Sequence, residues 1–261
     1  MKDGHIHTCF CPHGSDDTPE MYIKRAIEKG YDEISFTEHL FLPGGFEDPA
    51  PSKDSAPDEK AIIKYFDTIE KLKKDYKGII KINTGLEVDY LEGLEYKTRD
   101  ILDKYGERID DAILSVHMLK IDEGYMCIDY SVEEFKKAAN ILGGVENLYN
   151  KYYETLKKSV ESDLGKYKPK RIGHFNLVRR FCEKIPYDYS VHSDIIEDII
   201  KIIKENGYEL DYNVAGLRKE GCGEIYVDGC VKKLAEEYSI PMVLGSDSHT
   251  AETIDDYSKY I

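Results

Sequence analysis

With 261 residues and 41% hydrophobic content, the chain is long enough to bury a substantial core, and residues 1–261 are read as one α/β domain. The formal net charge of −15 sets up a field that repels polyanions, and no stripe of Lys or Arg offsets it, so nucleic acid is not expected as a partner. No apolar run approaches the roughly 18 residues of a membrane span, and Met1-Lys2 opens without a signal-peptide pattern, which predicts a cytoplasmic protein that does not engage a membrane.

Taken in chain order, a β-branched run at residues 4–8 precedes a helical pattern at 18–29. Runs at 33–37 and 79–88 flank a helix at 58–76. A helix at 94–104 leads to a run at 112–117, a helix at 145–162 to a run at 171–175, and a helix at 193–206 to a run at 208–213. A helix at 228–238 and a last run at 241–246 complete seven strands. Strand followed by helix, repeated, implies a parallel sheet with right-handed crossovers. Gly30 and Gly207 stand where helix stop signals belong, Ser193 resembles an N-cap, and Ser131 with Glu134 fits a capping box. The stretch 43–57, with Pro43, Gly44, Gly45, Pro49, Pro51 and Pro57, reads as a solvated insertion or a lid over a site at the strand ends. Residues 120–162, rich in Tyr and helical in pattern, are expected to wall a pocket or to pack as core.

Residues two apart on a strand share a face, so His5 and His7 make a natural chelate. Asp247 and His249 have the same spacing at the end of the last strand, which neighbours the first if the sheet closes into a barrel. Glu87 ends a run too apolar for an exposed loop, His117 and His174 also end strands, and His13 and His39 lie beside the first two. Nine candidate ligands result, His5, His7, His13, His39, Glu87, His117, His174, Asp247 and His249, a number suited to about three ions with bridging carboxylates. Mixed imidazole and carboxylate donors suit Zn, Mn or Fe. Six cysteines without a C-x-x-C pair are expected to be reduced, with Cys9 and Cys11 as alternative soft ligands. His192 reads as a helix-start or surface residue.

The ordered motifs Asp3-Gly4-His5-Ile6-His7-Thr8, Thr37-Glu38-His39, Gly85-Leu86-Glu87-Val88-Asp89-Tyr90, Ser115-Val116-His117, Gly173-His174-Phe175, Gly216-Leu217-Arg218-Lys219 and Gly245-Ser246-Asp247-Ser248-His249 span nearly the whole chain. In these the chain resembles the polymerase and histidinol phosphatase (PHP) superfamily, specifically its histidinol-phosphate phosphatases. The resemblance implies a distorted seven-stranded (β/α) TIM-like barrel with three divalent metal ions. One ion would be held by His5, His7, Glu87 and Asp247, a second by Glu87, His117 and His174, and a third by His13, His39 and His249. The implied activity is hydrolysis of L-histidinol phosphate, with a phosphodiesterase or a non-catalytic metal-binding protein as rival readings. Two departures stand out. Asn176 occupies a position where similar phosphatases often have Asp, and the chain stops twelve residues after His249.

Cleaving a phosphate monoester requires activated water, neutralised phosphoryl charge and help for a poor leaving group, all of which divalent ions supply. Arg218, just after the sixth strand, is the candidate for bidentate phosphate contact, and Arg179 or Arg180 could add a second. Asp247 or His249 is expected to assist the leaving alkoxide. Glu38, Asp89, Asp122 and Glu123 are the acidic candidates for the amine and imidazole of the substrate, a small phosphorylated metabolite.

Overall fold

The computed structural model describes residues 1–260. Seven strands, β1 (Lys2–Ile6), β2 (Glu33–His39), β3 (Lys81–Asp89), β4 (Asp111–Ser115), β7 (Arg171–Ile172), β8 (Glu209–Asn213) and β9 (Met242–Gly245), form one sheet. All its ladders are parallel, and its order follows the chain, β1-β2-β3-β4-β7-β8-β9. Beyond the end of β9 the sheet closes on itself. Ile6 bridges Ser248, His7 N donates to Ser248 O at 3.0 Å, and Asp247 N donates to His5 O at 2.7 Å. The architecture is the distorted seven-stranded TIM-like barrel expected, and the strand ends that carry the His and carboxylate motifs gather at one rim.

Helices α1 (Pro19–Glu28), α2 (Glu59–Asp75), α3 (Glu95–Tyr105), α4 (Val132–Leu142), α5 (Val145–Glu161), α6 (Ser193–Glu205) and α7 (Cys230–Glu237) pack apolar stripes onto the barrel. In α6 the stripe is Ile196, Ile199, Ile200 and Ile203, the spacing that keeps one helix face inward. Tyr149, Tyr152 and Tyr153 of α5 are buried, so these tyrosines are core. Gly30 and Gly207 do adopt the left-handed conformation of helix stops.

The sequence reading needs four corrections here. Residues 118–127 form a hairpin, β5 (Met118–Ile121) with antiparallel β6 (Gly124–Cys127), where only helical pattern was expected. A separate helix, α4, precedes α5, the two divided at Gly143 and Gly144, both with positive φ. Ser131 accepts from Glu134 N at 3.1 Å, which is the Ser half of the capping box. Ser193 is not the cap of α6, because a single 3₁₀ turn at Tyr189–His192 runs directly into the helix and Asp188 caps that turn through Ser190 N. The strand predicted at 171–175 ends at Ile172, since the chain turns at His174 into another 3₁₀ turn, Leu177–Arg179.

The rim opposite the motifs is plugged by Arg171, which is 1% exposed. It donates to Gly4 O at 2.6 Å and to Glu209 at 2.9 Å, and it pairs with Asp111. A Cβ on Gly4 would stand 2.4 Å from the guanidinium, so the arginine requires glycine there.

Candidate metal centre

At the motif-bearing rim, strand pleating and the turn after each strand aim side chains at a common point. Glu87, on β3, is the hub. Its Oε2 lies 3.3 Å from His5 Nε2, 3.3 Å from His7 Nε2 and 3.4 Å from His39 Nδ1. Its Oε1 lies 2.9 Å from His174 Nε2 and 3.6 Å from His117 Nε2, and it accepts from Ser115 Oγ at 2.6 Å. Asp247 Oδ1 is 3.3 Å from His7 Nε2 and 3.8 Å from His5 Nε2. The structure therefore brings eight of the nine sequence candidates into one cluster. The ninth, His13, joins at the edge through His249, with the two Nε2 atoms 3.2 Å apart.

The ring nitrogens show what such a cluster accommodates. His13 Nδ1 bonds Asp54 O and His249 Nδ1 bonds Asp247 O. A carbonyl only accepts, so each Nδ1 carries the proton and each Nε2 presents a lone pair. Two lone pairs facing at 3.2 Å suit a shared cation. Two nitrogens about 2.0–2.1 Å from one tetrahedral ion would themselves be about 3.4 Å apart. The Nε2 atoms of His5 and His7 likewise meet at 3.1 Å, while His5 Nδ1 is held by Asp211 at 2.8 Å. The buried Nδ1 atoms of His7, His39 and His174 have no hydrogen-bond partner. Donor geometry divides the cluster into three groups: His5, His7 and Glu87; Glu87, His117 and His174; and His7, Cys11, His39 and His249. The third group adds Cys11 and His7 to the His39 and His249 of the sequence reading, and His13 meets it through His249.

Electrostatics agree with a receptor for cations. Burial pushes the Glu87 carboxyl up, but the surrounding imidazoles of His5, His39 and His117 outweigh it and hold the group well below the usual range. Asp247 is likewise pushed up by burial and brought well down by His5 and His7. Burial, reinforced by the field of His7, keeps His39 and His249 well below the ordinary imidazole value, so both are neutral donors. Burial opposes protonation of His117, yet Asp89 and Glu87 raise it to about 10.

Three carboxylates orient the imidazoles from behind. Asp211 holds His5 Nδ1, and Asp89 holds His117 Nδ1 at 2.7 Å. Glu38 faces His7 Nδ1 at 3.5 Å while taking hydrogen bonds from Thr8 and His39 N. Asp211 was missed by sequence reasoning, although Asp211 and Asn213 have the same two-residue spacing on a predicted strand as the ligand pairs. Gly245 makes the Asp211 contact possible, because a Cβ there would come within 2.0 Å of Asp211 Oδ1.

Above the cluster lies a cavity of about 280 Å³. The 43–57 loop supplies part of its wall through Ala50, Asp54 and Ser55, and Phe46 packs edge-on against Tyr125 of the hairpin with ring centroids 4.8 Å apart. Of the three candidate arginines only Arg180 lines this cavity, together with Lys219. Arg218 instead donates to Ser246 O and Tyr257 Oη, both at 2.6 Å, and Arg179 is committed to Glu224 at 2.6 and 2.7 Å. The turn after β8 carries Arg218 toward the segment following β9, away from the cavity. Asp122 and Glu123 sit exposed at the hairpin tip and Glu38 is taken by Thr8 and His39 N, while Asp89, which bonds His117 Nδ1, is the one of the four acidic candidates that lines the cavity. Asn176 accepts from Tyr153 Oη at 3.0 Å and does not touch the His174 ring. His192 stands at the start of α6, as the first of its two readings had it, but it is buried, stacked on Tyr149 and bonded to Tyr187 Oη, and so not a surface residue.

Residues 3–215 match the model of the PHP domain. The chain belongs to the PHP family. Its relatives include the histidinol-phosphatase of Bacillus subtilis, 45% identical over 96% of this chain and 94% of that one. A crystal structure of a protein from Listeria monocytogenes, provisionally assigned as a histidinol phosphatase, is 38% identical and superposes with a TM-score of 0.96 over 100% of both chains. The histidinol phosphate phosphatase of Lactococcus lactis, solved with Zn, L-histidinol and phosphate, shares the fold at 21% identity, with a TM-score of 0.70 over 96% of this chain and 86% of that one. Among the described residues of this PHP chain, no helix is long and apolar enough to cross a membrane.

Proposed function

We infer that the chain is a metal-dependent phosphomonoesterase that hydrolyses L-histidinol phosphate to L-histidinol and phosphate in histidine biosynthesis. It would act in the cytoplasm as a single domain over residues 1–261. The observation that carries this reading is the Glu87-centred cluster of imidazoles and carboxylates at the base of a cavity sized for a small metabolite. The substrate itself is carried by the 45% identity, end to end, with a histidinol-phosphatase.

The three donor groups would hold three divalent ions, one at His5, His7 and Glu87, a second at Glu87, His117 and His174, and a third at His7, Cys11, His39 and His249. Zn, Mn and Fe all suit these donors. When bound, such ions supply Lewis-acid activation of water and neutralise phosphoryl charge. The chain's own residues do the rest. Glu87 and Asp247 hold negative charge under burial, Asp211 and Asp89 fix the tautomers of His5 and His117, and Arg180 and Lys219 present cations at the wall of the cavity. Asp247 and His249 line the cavity where a leaving alkoxide would take its proton. Arg218 is assigned a positioning role, bracing Ser246 beside Asp247.

Two results are expected. Purified protein stripped with EDTA loses phosphate release from histidinol phosphate and regains it with Zn²⁺ or Mn²⁺, and elemental analysis of the loaded protein finds close to three ions per chain. Chelator-insensitive turnover, or faster cleavage of a short oligonucleotide than of histidinol phosphate, would overturn the assignment. Arg180→Ala raises KM for histidinol phosphate by about 10–100-fold, the loss expected for a charge-assisted hydrogen bond. Steady-state kinetics check this, and an unchanged KM removes Arg180 from phosphate binding.

A further inference from the structure

Five acidic residues line the cavity: Asp54, Glu87, Asp89, Asp129 and Asp247. Glu87 and Asp247 belong to the metal cluster, and Asp89 is held by His117. Asp54 lies on the exposed loop, where its carboxylate pairs with Ser52 Oγ and its carbonyl with His13. Asp129 differs from all four. Its carboxylate accepts one hydrogen bond, from the Cys127 thiol at 3.1 Å, and among the described residues no cation pairs with it. It is half-buried, in a wall that includes Met118, Cys127 and Leu177, where an ionised carboxylate without a counterion is costly.

Its placement is directional. Asp129 follows β6 in the hairpin segment inserted after β4, whereas Arg180 and Lys219 come from the turns after β7 and β8, farther along the sheet. Asp129 lines the cavity together with His117 and Tyr226. The cavity thus draws a carboxylate from its hairpin side and a basic wall from the turns after β7 and β8, with the metal cluster at its base. A ligand complementary to that field carries an anion and a cation a few bonds apart.

We propose that Asp129 is a specificity residue that pairs with the ammonium group of an aminoalkyl phosphate substrate while the phosphate engages the metal cluster and the basic wall. The inference rests on the functional reading above and deepens it by naming the carboxylate that selects an amine. It also explains why the hairpin and the loop before α4 are built over the site: they bring the counter-charge to a substrate whose other end is fixed by the barrel.

The test compares L-histidinol phosphate with 3-(imidazol-4-yl)propyl phosphate, which lacks only the amine. In Asp129→Asn, kcat/KM for histidinol phosphate falls by about 10–100-fold, chiefly through KM, while that for the deaminated analogue changes by less than about 3-fold, and Asp129→Glu restores part of the discrimination. Equal losses on both substrates, or no loss on either, overturn the proposal. Metal content measured on the same preparations separates a binding effect from damage to the cluster, since a fall in ions would make the loss structural and refute the specificity role. Failure of the wild-type protein to hydrolyse histidinol phosphate would instead refute the parent reading, so the two failures are distinguishable.

Discussion

Glu87→Gln will lose at least about 10³-fold in kcat/KM on histidinol phosphate, a factor equivalent to about 4 kcal/mol of transition-state stabilisation. The reason is positional. One oxygen of Glu87 faces His5, His7 and His39, and the other faces His174 and His117, so a single carboxylate serves both halves of the cluster. The amide keeps the shape but removes the charge and replaces one acceptor with a donor that points at imidazole nitrogens. Two ion positions are weakened together, whereas replacing His5 or His174 touches one. Elemental analysis alongside phosphate release will therefore find more than one ion missing per chain. Full metal content with near-normal turnover would show that the carboxylate does not bridge.

Arg171→Ala will destabilise the fold by about 3–5 kcal/mol, the cost typical of removing one member of a buried charged network. The guanidinium joins the starts of three strands, through Gly4 O on β1, Asp111 on β4 and Glu209 on β8. Its removal leaves Asp111, half-buried at the start of β4, with only Lys2 and Ser35 as partners and opens a cavity the length of the side chain. Denaturant titration measures the loss. Because Arg171 lies at the rim opposite the metal cluster, the folded fraction should keep its ions. A change under 1 kcal/mol would mean that water fills the space and solvates the acids without penalty.

The barrel was readable because its signals are local. Strand-to-helix alternation, the two-residue spacing of His5 with His7 and of Asp247 with His249, and Glu87 at the end of an apolar run are all visible within short windows. The partners that orient the imidazoles were not, since pairs such as His5 with Asp211 are 206 residues apart and no periodicity announces them. Arg218 was misjudged for a related reason. A basic residue after a strand has two directions open to it, and here Tyr257 and the Ser246 carbonyl fix the one that leads away from the cavity. The hairpin at 118–127 escaped because its turn, at Asp122 with positive φ, lacks the Asn-Gly or Asp-Gly dipeptide that marks tight hairpins.

The seam between β1 and the segment after β9 has a bearing on biosynthesis. His5 and His7 emerge from the ribosome early, but the carbonyl and amide groups that lock them, on Ser248 and Asp247, follow all seven strands of the sheet. A nascent chain displays its first imidazole pair throughout translation without the acidic partner that completes their cage. Polypeptides released before β9 would carry the opening half of a clasp with nothing to fasten it.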